Sequence, residues 1–98
     1  MKVKAAIENK LTAALQPTRL AVVDDSRRHA GHAGARPEGE THFNVEVVSA
    51  AFAGMSRIQR QRRVYEILAE ELKGPVHALA LQTRTPEEEH ALIGQAPR

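Results

Sequence analysis

The fold is decided by residues 42–49, which read HFNVEVVS. Phe43, Val45 and Val47 alternate with polar residues in this stretch, and a period of two predicts a β-strand with one buried face. A second β-prone run, Leu20–Val23, precedes it in the chain. Because only loop-like sequence separates the two runs, we expect them to pair as a hairpin.

Residues 24–40, which join the two predicted strands, contain three glycines and a proline among polar residues. This segment has almost nothing to bury, so we expect a mobile loop. Hairpin loops usually contain about 2–5 residues, and much longer loops are generally functional or disordered. The loop is therefore the first place to look for function.

Helical patterns lie on both sides of this hairpin. An apolar side chain recurs every fourth residue before Pro17, which predicts an amphipathic helix whose buried stripe is Val3, Ile7, Leu11 and Leu15. Arg57–Leu72 is the longest predicted helix, and Gly74 and Pro75 follow it as a C-terminal glycine and proline commonly do.

A third strand is predicted over Val76–Thr83. Thr85 then provides the cap, and Pro86 the first turn, of a short last helix. Residues 94–98 are expected to fray. The order αββαβα predicts one α+β domain over residues 1–98, with a three-stranded sheet and helices packed on one face. The order of the strands within the sheet stays open.

The composition excludes several classes of function. A chain of 98 residues has room for one domain with one small core. It contains no cysteine, so it has no disulfide, no nucleophilic thiol and no metal site built from its own thiolates. Its five histidines leave imidazole as a candidate metal ligand. A net charge of +2 falls well short of that of a dedicated DNA-binding protein.

Neither a membrane segment nor a catalytic set is visible in the sequence. No apolar run approaches the ~20 residues needed to span a bilayer, and the N-terminal residues lack the apolar stretch of a signal peptide. We therefore expect a cytoplasmic protein that does not enter the membrane. No nucleophile with a nearby base, no paired carboxylates and no phosphate loop can be recognised, so we predict that the chain is not an enzyme.

Short motifs follow one another through these predicted elements. From the N-terminus they are Asp25-Ser26, His29-Ala30-Gly31-His32, Glu40-Thr41-His42-Phe43-Asn44-Val45, Phe52-Ala53-Gly54, Gln59-Arg60-Gln61-Arg62, Tyr65-Glu66-Ile67-Leu68, Val76-His77-Ala78-Leu79-Ala80 and Thr85-Pro86-Glu87. No single motif is specific, but their order and spacing resemble the BolA family over nearly the whole chain. One position departs from the family, which usually has histidine where this chain has Gln61.

The resemblance implies a fold similar to the class II KH domain. It also implies binding to a monothiol glutaredoxin, either without metal or around a shared [2Fe–2S] cluster. In the cluster form, the glutaredoxin and glutathione supply sulfur, and the BolA partner supplies one histidine from the hairpin loop and one from the third strand. Matched by motif, these are His29 and His77. Alone, the chain is expected to hold no cluster and to be a monomer or a weak homodimer.

The chemistry of the residues is compatible with this interpretation but leaves alternatives open. Imidazole binds iron, and histidine replaces cysteine on one iron of Rieske clusters. However, a strand histidine such as His77 is usually a packed or edge residue, and a loop histidine such as His29 is usually solvated. His32 could substitute for His29, although two loop histidines are too few for a structural zinc site. We expect His42 to order the hairpin and His90 to lie at the surface.

Four arginines occupy the first two turns of the predicted long helix: Arg57, Arg60, Arg62 and Arg63. They could bind phosphates or an acidic surface of a partner, and the alternative is a solvated helix face. We expect Arg60 and Arg63 to point to solvent. Residues 31–34 match the GxxG of KH domains as a string, but their place in a hairpin loop argues against KH-type RNA binding.

Two functions from different classes remain at this point. The first is an adaptor that binds a monothiol glutaredoxin and co-ligates or transfers a [2Fe–2S] cluster. The alternative is a DNA-binding transcriptional regulator, which the family resemblance also permits. Strong salt dependence of DNA binding would favour the regulator, and a histidine-ligated cluster shared with a glutaredoxin would favour the adaptor.

Overall fold

The computed structural model describes residues 2–25 and 41–94. Its elements are α1 (Lys2–Leu15), β1 (Arg19–Asp24), β2 (His42–Val48), a 3₁₀ turn (Ala50–Phe52), α2 (Arg57–Ile67), α3 (Ala69–Lys73), β3 (Ala78–Arg84) and α4 (Pro86–Gly94). The predicted α+β class and the order of elements are confirmed. Most of the expected loop, residues 26–40, and of the expected frayed tail, residues 95–98, lies outside the described residues.

The three strands form one sheet in the order β1-β2-β3. β1 pairs with β2 in the antiparallel direction, which confirms the predicted hairpin, and β3 pairs with β2 in the parallel direction. A parallel neighbour requires a long crossover, and α2 and α3 provide it. β2 is therefore hydrogen-bonded along both of its edges.

A single hydrophobic core lies between one face of the sheet and the helices. The alternating side chains Phe43, Val45 and Val47 of β2 point into it, as their spacing predicts. The buried cluster consists of Ile7, Leu11, Leu15, Val22, Phe43, Val45, Val47, Phe52, Val64, Leu68 and Val76. Aromatic residues are scarce in this chain, and both phenylalanines are used in the core.

The predicted long helix is divided at Leu68. Its backbone angles (φ −100°, ψ 20°) leave the helical range, so α2 ends at Ile67 and α3 is a separate short helix. α3 is tied to α1 by Lys10, whose Nζ lies 2.8 Å from a carboxylate oxygen of Glu71. The side chain of Leu68 is buried, so the break keeps an apolar residue in the core.

β3 begins two residues later than predicted. The N–H of Val76 donates to the carbonyl of Glu71 at 3.0 Å, so Val76 belongs to the turn after α3. His77 follows this turn and precedes Ala78, the first residue of the strand. The expectation that His77 is part of the strand is therefore wrong.

One residue of this fold is held in an unfavourable backbone conformation. Gln16, which follows α1, has a positive φ of 44°, and its N–H donates to the carbonyl of Thr12 at 3.0 Å. Helices often end with a residue in this left-handed conformation, and glycine is preferred there because it has no Cβ.

We predict that Gln16→Gly raises the free energy of unfolding by about 0.5–1 kcal/mol, because glycine relieves the strain at this position. The matched control is Ala14→Gly, an exposed position within α1, which should lower the free energy by about 1 kcal/mol. Urea unfolding followed by circular dichroism measures both changes. Destabilisation by both substitutions would show that the positive φ at Gln16 carries no strain.

Candidate functional site

His77 lies at one end of the sheet, immediately before β3, and its side chain is exposed. Its backbone N–H donates to the carbonyl of Thr41 at 2.7 Å, and the N–H of Ala78 donates to the same oxygen at 3.2 Å. Thr41 is fully buried at the entrance to β2. The central strand therefore fixes the backbone of His77 although His77 is outside the strand.

The imidazole of His42 stacks on that of His77. The ring centroids are 6.4 Å apart and the ring planes differ by 22°. Nδ1 of His42 is hydrogen-bonded to the hydroxyl of Thr41 at 2.8 Å, which restrains the ring. Sequence reasoning gave His42 a role in the hairpin and missed this contact, because the contact depends on β3 pairing with β2 in parallel.

The two ends of the hairpin loop lie beside this histidine pair. The N–H of Asp25 donates to the carbonyl of His42 at 2.7 Å, and Thr41 accepts the N–H of His77. The loop that carries His29 and His32 therefore leaves and rejoins the sheet at the end where His77 is exposed. His29 and His32 themselves lie outside the described residues.

Arg60 does not point to solvent, contrary to the expectation from the sequence. Its Nη1 and Nη2 lie 2.6 and 3.0 Å from the two carboxylate oxygens of Glu88, and its Nε donates to the carbonyl of Met55 at 3.0 Å. The guanidinium also lies 5.8 Å from the centroid of the Phe52 ring. Arg60 therefore fastens α4 to the start of α2.

The other three arginines of the predicted cluster are exposed and fall into two sets. Arg57, with Arg60, lines a groove of about 500 Å³ whose opposite wall is formed by residues 81–84 of β3. Arg62 and Arg63 do not line this groove, because each residue turns the helix by about 100°. The four arginines therefore do not form a single basic surface. His90 is exposed, as expected.

α4 is attached to the rest of the domain by two glutamate carboxylates, and arginine partners favour their ionised form. The Arg60 guanidinium, together with the backbone N–H of Thr85, lowers the pKa of Glu88 from 4.5 to about 2. The Arg19 guanidinium lowers the pKa of Glu89 in the same way, through a hydrogen bond of 2.9 Å from its Nε. The N–H of Glu88 also donates to the Thr85 hydroxyl at 3.1 Å, which completes the predicted threonine cap.

Among the residues that the structure describes, the donor groups at the histidine end can contribute to a metal site but cannot complete one. The chain has no cysteine, and residues 2–25 and 41–94 contain no group of three or more histidine or carboxylate side chains that could hold a metal ion. The exposed imidazole of His77 fits an iron–sulfur cluster only if a partner supplies the thiolates.

We predict that Glu88→Gln flattens the dependence of stability on pH between 4.5 and 2. A carboxyl whose pKa is lowered on folding contributes stability above its usual pKa, and this contribution is lost as the pH falls through the folded value. Glutamine retains an oxygen that can accept the N–H of Thr85, so mainly the charge is removed.

Thermal unfolding midpoints across this pH range provide the measurement. The control is Glu87→Gln, since Glu87 is exposed and forms no ion pair with any described residue. A wild-type slope retained in the Glu88→Gln protein would contradict the prediction.

Comparison with known proteins agrees with the resemblance seen in the sequence. A family model described as BolA-like protein matches residues 11–88. BolA-like protein 1 of Mus musculus is 55% identical over 84 residues, which are 86% of this chain and 58% of that protein. The DNA-binding transcriptional regulator BolA of Escherichia coli is 49% identical over 88 residues, with 90% of this chain and 80% of that protein covered. Neither relative is named as an enzyme.

Solved structures show the same fold. The BolA domain of SufE1 from Arabidopsis thaliana has a TM-score of 0.79 at 45% sequence identity, with 87% of this chain and 93% of that chain covered. The chain spans little more than half the length of the mouse relative. Within the described residues, no helix is long and apolar enough to cross a membrane. The family model covers most of the chain, and the chain belongs to the BolA-like family.

Proposed function

We propose that this chain is an adaptor that binds a monothiol glutaredoxin and, with glutathione, co-ligates or transfers a [2Fe–2S] cluster. The observation that carries the proposal is the position of His77, whose exposed imidazole stands on a backbone anchored to the central strand. An adaptor of this kind needs no catalytic residue and serves iron–sulfur trafficking or iron sensing.

His77 is suited to be a metal ligand at a surface that faces another protein. Its backbone is restrained by Thr41 and its ring lies beside that of His42, so less conformational entropy is lost on binding than for a histidine without these contacts. When the cluster is bound, imidazole in place of a thiolate raises its reduction potential. The thiolates come from the glutaredoxin and glutathione, because this chain has none.

The second nitrogen ligand in this proposal is His29, with His32 as its substitute. His29 is four positions after Asp25, and an extended chain of that length spans at most about 14 Å. Asp25 is bonded to His42, which stacks on His77. A histidine so close to the start of the loop can therefore reach the exposed face of His77.

The cellular location stays a prediction. The sequence favours the cytoplasm, whereas relatives in Arabidopsis thaliana carry names that place them in chloroplasts or mitochondria. The adaptor function requires only a compartment that contains a glutaredoxin and glutathione.

We predict that the isolated chain binds little or no cluster after anaerobic reconstitution and forms a coloured heterodimer with a monothiol glutaredoxin and glutathione. In this heterodimer, His77→Ala should remove the hyperfine coupling to its ligating nitrogen, measured by electron paramagnetic resonance of the reduced cluster. His29→Ala should make the cluster labile without abolishing the complex, because His32 can take its place.

His90→Ala is the matched control for His77→Ala, since His90 is also exposed but lies on α4. It should leave the spectrum unchanged. Two coordinated nitrogens retained in the His77→Ala heterodimer would refute the ligand assignment. A stable cluster on the isolated chain would refute the adaptor proposal itself.

A DNA-binding regulator is the second candidate, and two observations favour it. The Escherichia coli relative is named as a DNA-binding transcriptional regulator. In this chain Arg62 and Arg63 are exposed in the middle of α2, where they could contact phosphates.

We predict that, if the chain binds duplex DNA, replacing Arg62 and Arg63 together by alanine lowers the slope of log affinity against log salt by about 2, because each phosphate contact contributes about 1. Fluorescence anisotropy with a labelled duplex at several salt concentrations measures this slope. Lys73→Ala, a charge removed from the exposed end of α3, is the control. An unchanged slope would show that these two arginines are only solvated side chains on the helix surface.

A further inference from the structure

The groove between α2 and β3 follows the outer edge of the sheet. Its wall on the strand side is formed by four consecutive residues, Leu81 to Arg84. Successive side chains of a strand point to opposite faces, so a cavity that contacts all four lies along the edge and not over either face. The helix side of the groove is formed by Arg57, Arg60 and Gln61 of α2 and by Glu88 of α4, whose carboxylate is paired with Arg60.

The backbone along this edge is available for pairing. Within the part of the chain that the structure describes, β3 pairs with β2 alone. It runs without interruption from Ala78 to Arg84, and neither a proline nor a bulge blocks its outer edge. Proteins usually protect such edges, because their free N–H and C=O groups accept another strand.

The charge in the groove selects an acidic ligand. Arg60 is neutralised by Glu88, but Arg57 forms no ion pair with any described residue. Arg84 donates to the side-chain oxygen of Gln82 at 2.8 Å and forms a long ion pair of 3.7 Å with Glu46, whose carboxylate oxygen lies closer, at 2.9 Å, to Arg19. Among the described residues, Arg57 is therefore the unpaired guanidinium that can bind a carboxylate beside the strand, and Arg84, whose ion pair with Glu46 is long, is the second candidate.

An extended peptide fits this groove better than a nucleic acid does. The open edge of β3 presents alternating backbone donors and acceptors, which a peptide strand complements and a phosphodiester backbone, having acceptors only, does not. A volume of about 500 Å³ lies within the ~300–1,000 Å³ of typical ligand pockets.

The groove is also separate from the histidine end of the sheet. Leu81 lies four positions beyond His77 and Arg84 seven, which at ~3.3 Å per residue places the groove about 13–23 Å from His77. A partner at His77 and a segment in the groove can therefore be bound at the same time.

We propose that this groove binds an extended acidic segment of another protein, which adds to the outer edge of β3 as a fourth strand. Arg57 and Arg84 bind its carboxylates, and the backbone of β3 binds its main chain. The site is independent of the cluster and gives the adaptor a second docking surface for a client protein.

The test uses the full chain without metal or glutaredoxin. The probe is an eight-residue peptide that has a glutamate at each end and alternating valine and threonine between them. It is titrated into isotope-labelled protein up to a peptide concentration of 1 mM. We expect amide shift changes at Leu81–Arg84 and at Arg57. Arg57→Glu should weaken the peptide about tenfold, the effect of one charge-assisted hydrogen bond, while Arg62→Glu on the same helix should not.

Three further probes make the test decisive. The same peptide with lysine in place of both glutamates, and a version with alternate residues replaced by proline, should each bind at least about tenfold more weakly. A single-stranded DNA octamer should not shift the edge of β3. Oligonucleotide binding in the groove without peptide binding, peptide shifts that map elsewhere, or no binding of any probe at 1 mM would each overturn the proposal. Cluster binding by the heterodimer does not affect any of these outcomes.

Discussion

The parallel pairing of β3 with β2 is the constraint on which the rest of this structure depends. It places β2 in the middle of the sheet, where both of its edges are hydrogen-bonded and its alternate side chains form the centre of the core. It also requires α2 and α3 to cross over one face, since parallel neighbours cannot be joined by a tight turn. The same pairing brings the backbone of His77 onto the carbonyl of Thr41.

The two ends of β3 have different chemistry as a consequence. Just before its first residue, the exposed His77 has a backbone N–H bonded to Thr41, and here the proposed function puts a cluster ligand. Near its end, Arg57 and Arg84 border an unpaired strand edge and suit an acidic chain. A small domain can in this way present two unlike surfaces, one just before a seven-residue strand and one along its second half.

Local patterns were sufficient to predict most of this fold. The period of two in β2, the apolar stripe of α1 and the threonine cap of α4 each depend on residues close in sequence, and all three are present in the structure. The break at Leu68 was not predicted, because residues 57–72 keep a helical pattern through it. The short helix after the break makes a long-range contact, between Lys10 and Glu71, that no local pattern signals.

The parts of the site that sequence could not predict are those formed across large distances in the chain. The stacking of His42 on His77 requires the parallel pairing, and nothing local to either residue signals it. Arg60 was placed in solvent because its partner, Glu88, belongs to another helix. Arg60 lies four residues before the buried Val64 on α2, so helical spacing points its side chain towards the core. A charged residue at such a position was the available signal for a buried ion pair.

The attachment of α4 has a consequence for how the domain opens. None of residues 86–93 is buried, and Leu92 and Ile93 are 51% and 66% exposed. The helix is held mainly by two arginine–glutamate pairs, to Arg60 and Arg19, with little apolar area removed from water. Its amides should therefore exchange with solvent through local detachment, well before the sheet unfolds, and faster as added salt screens the pairs.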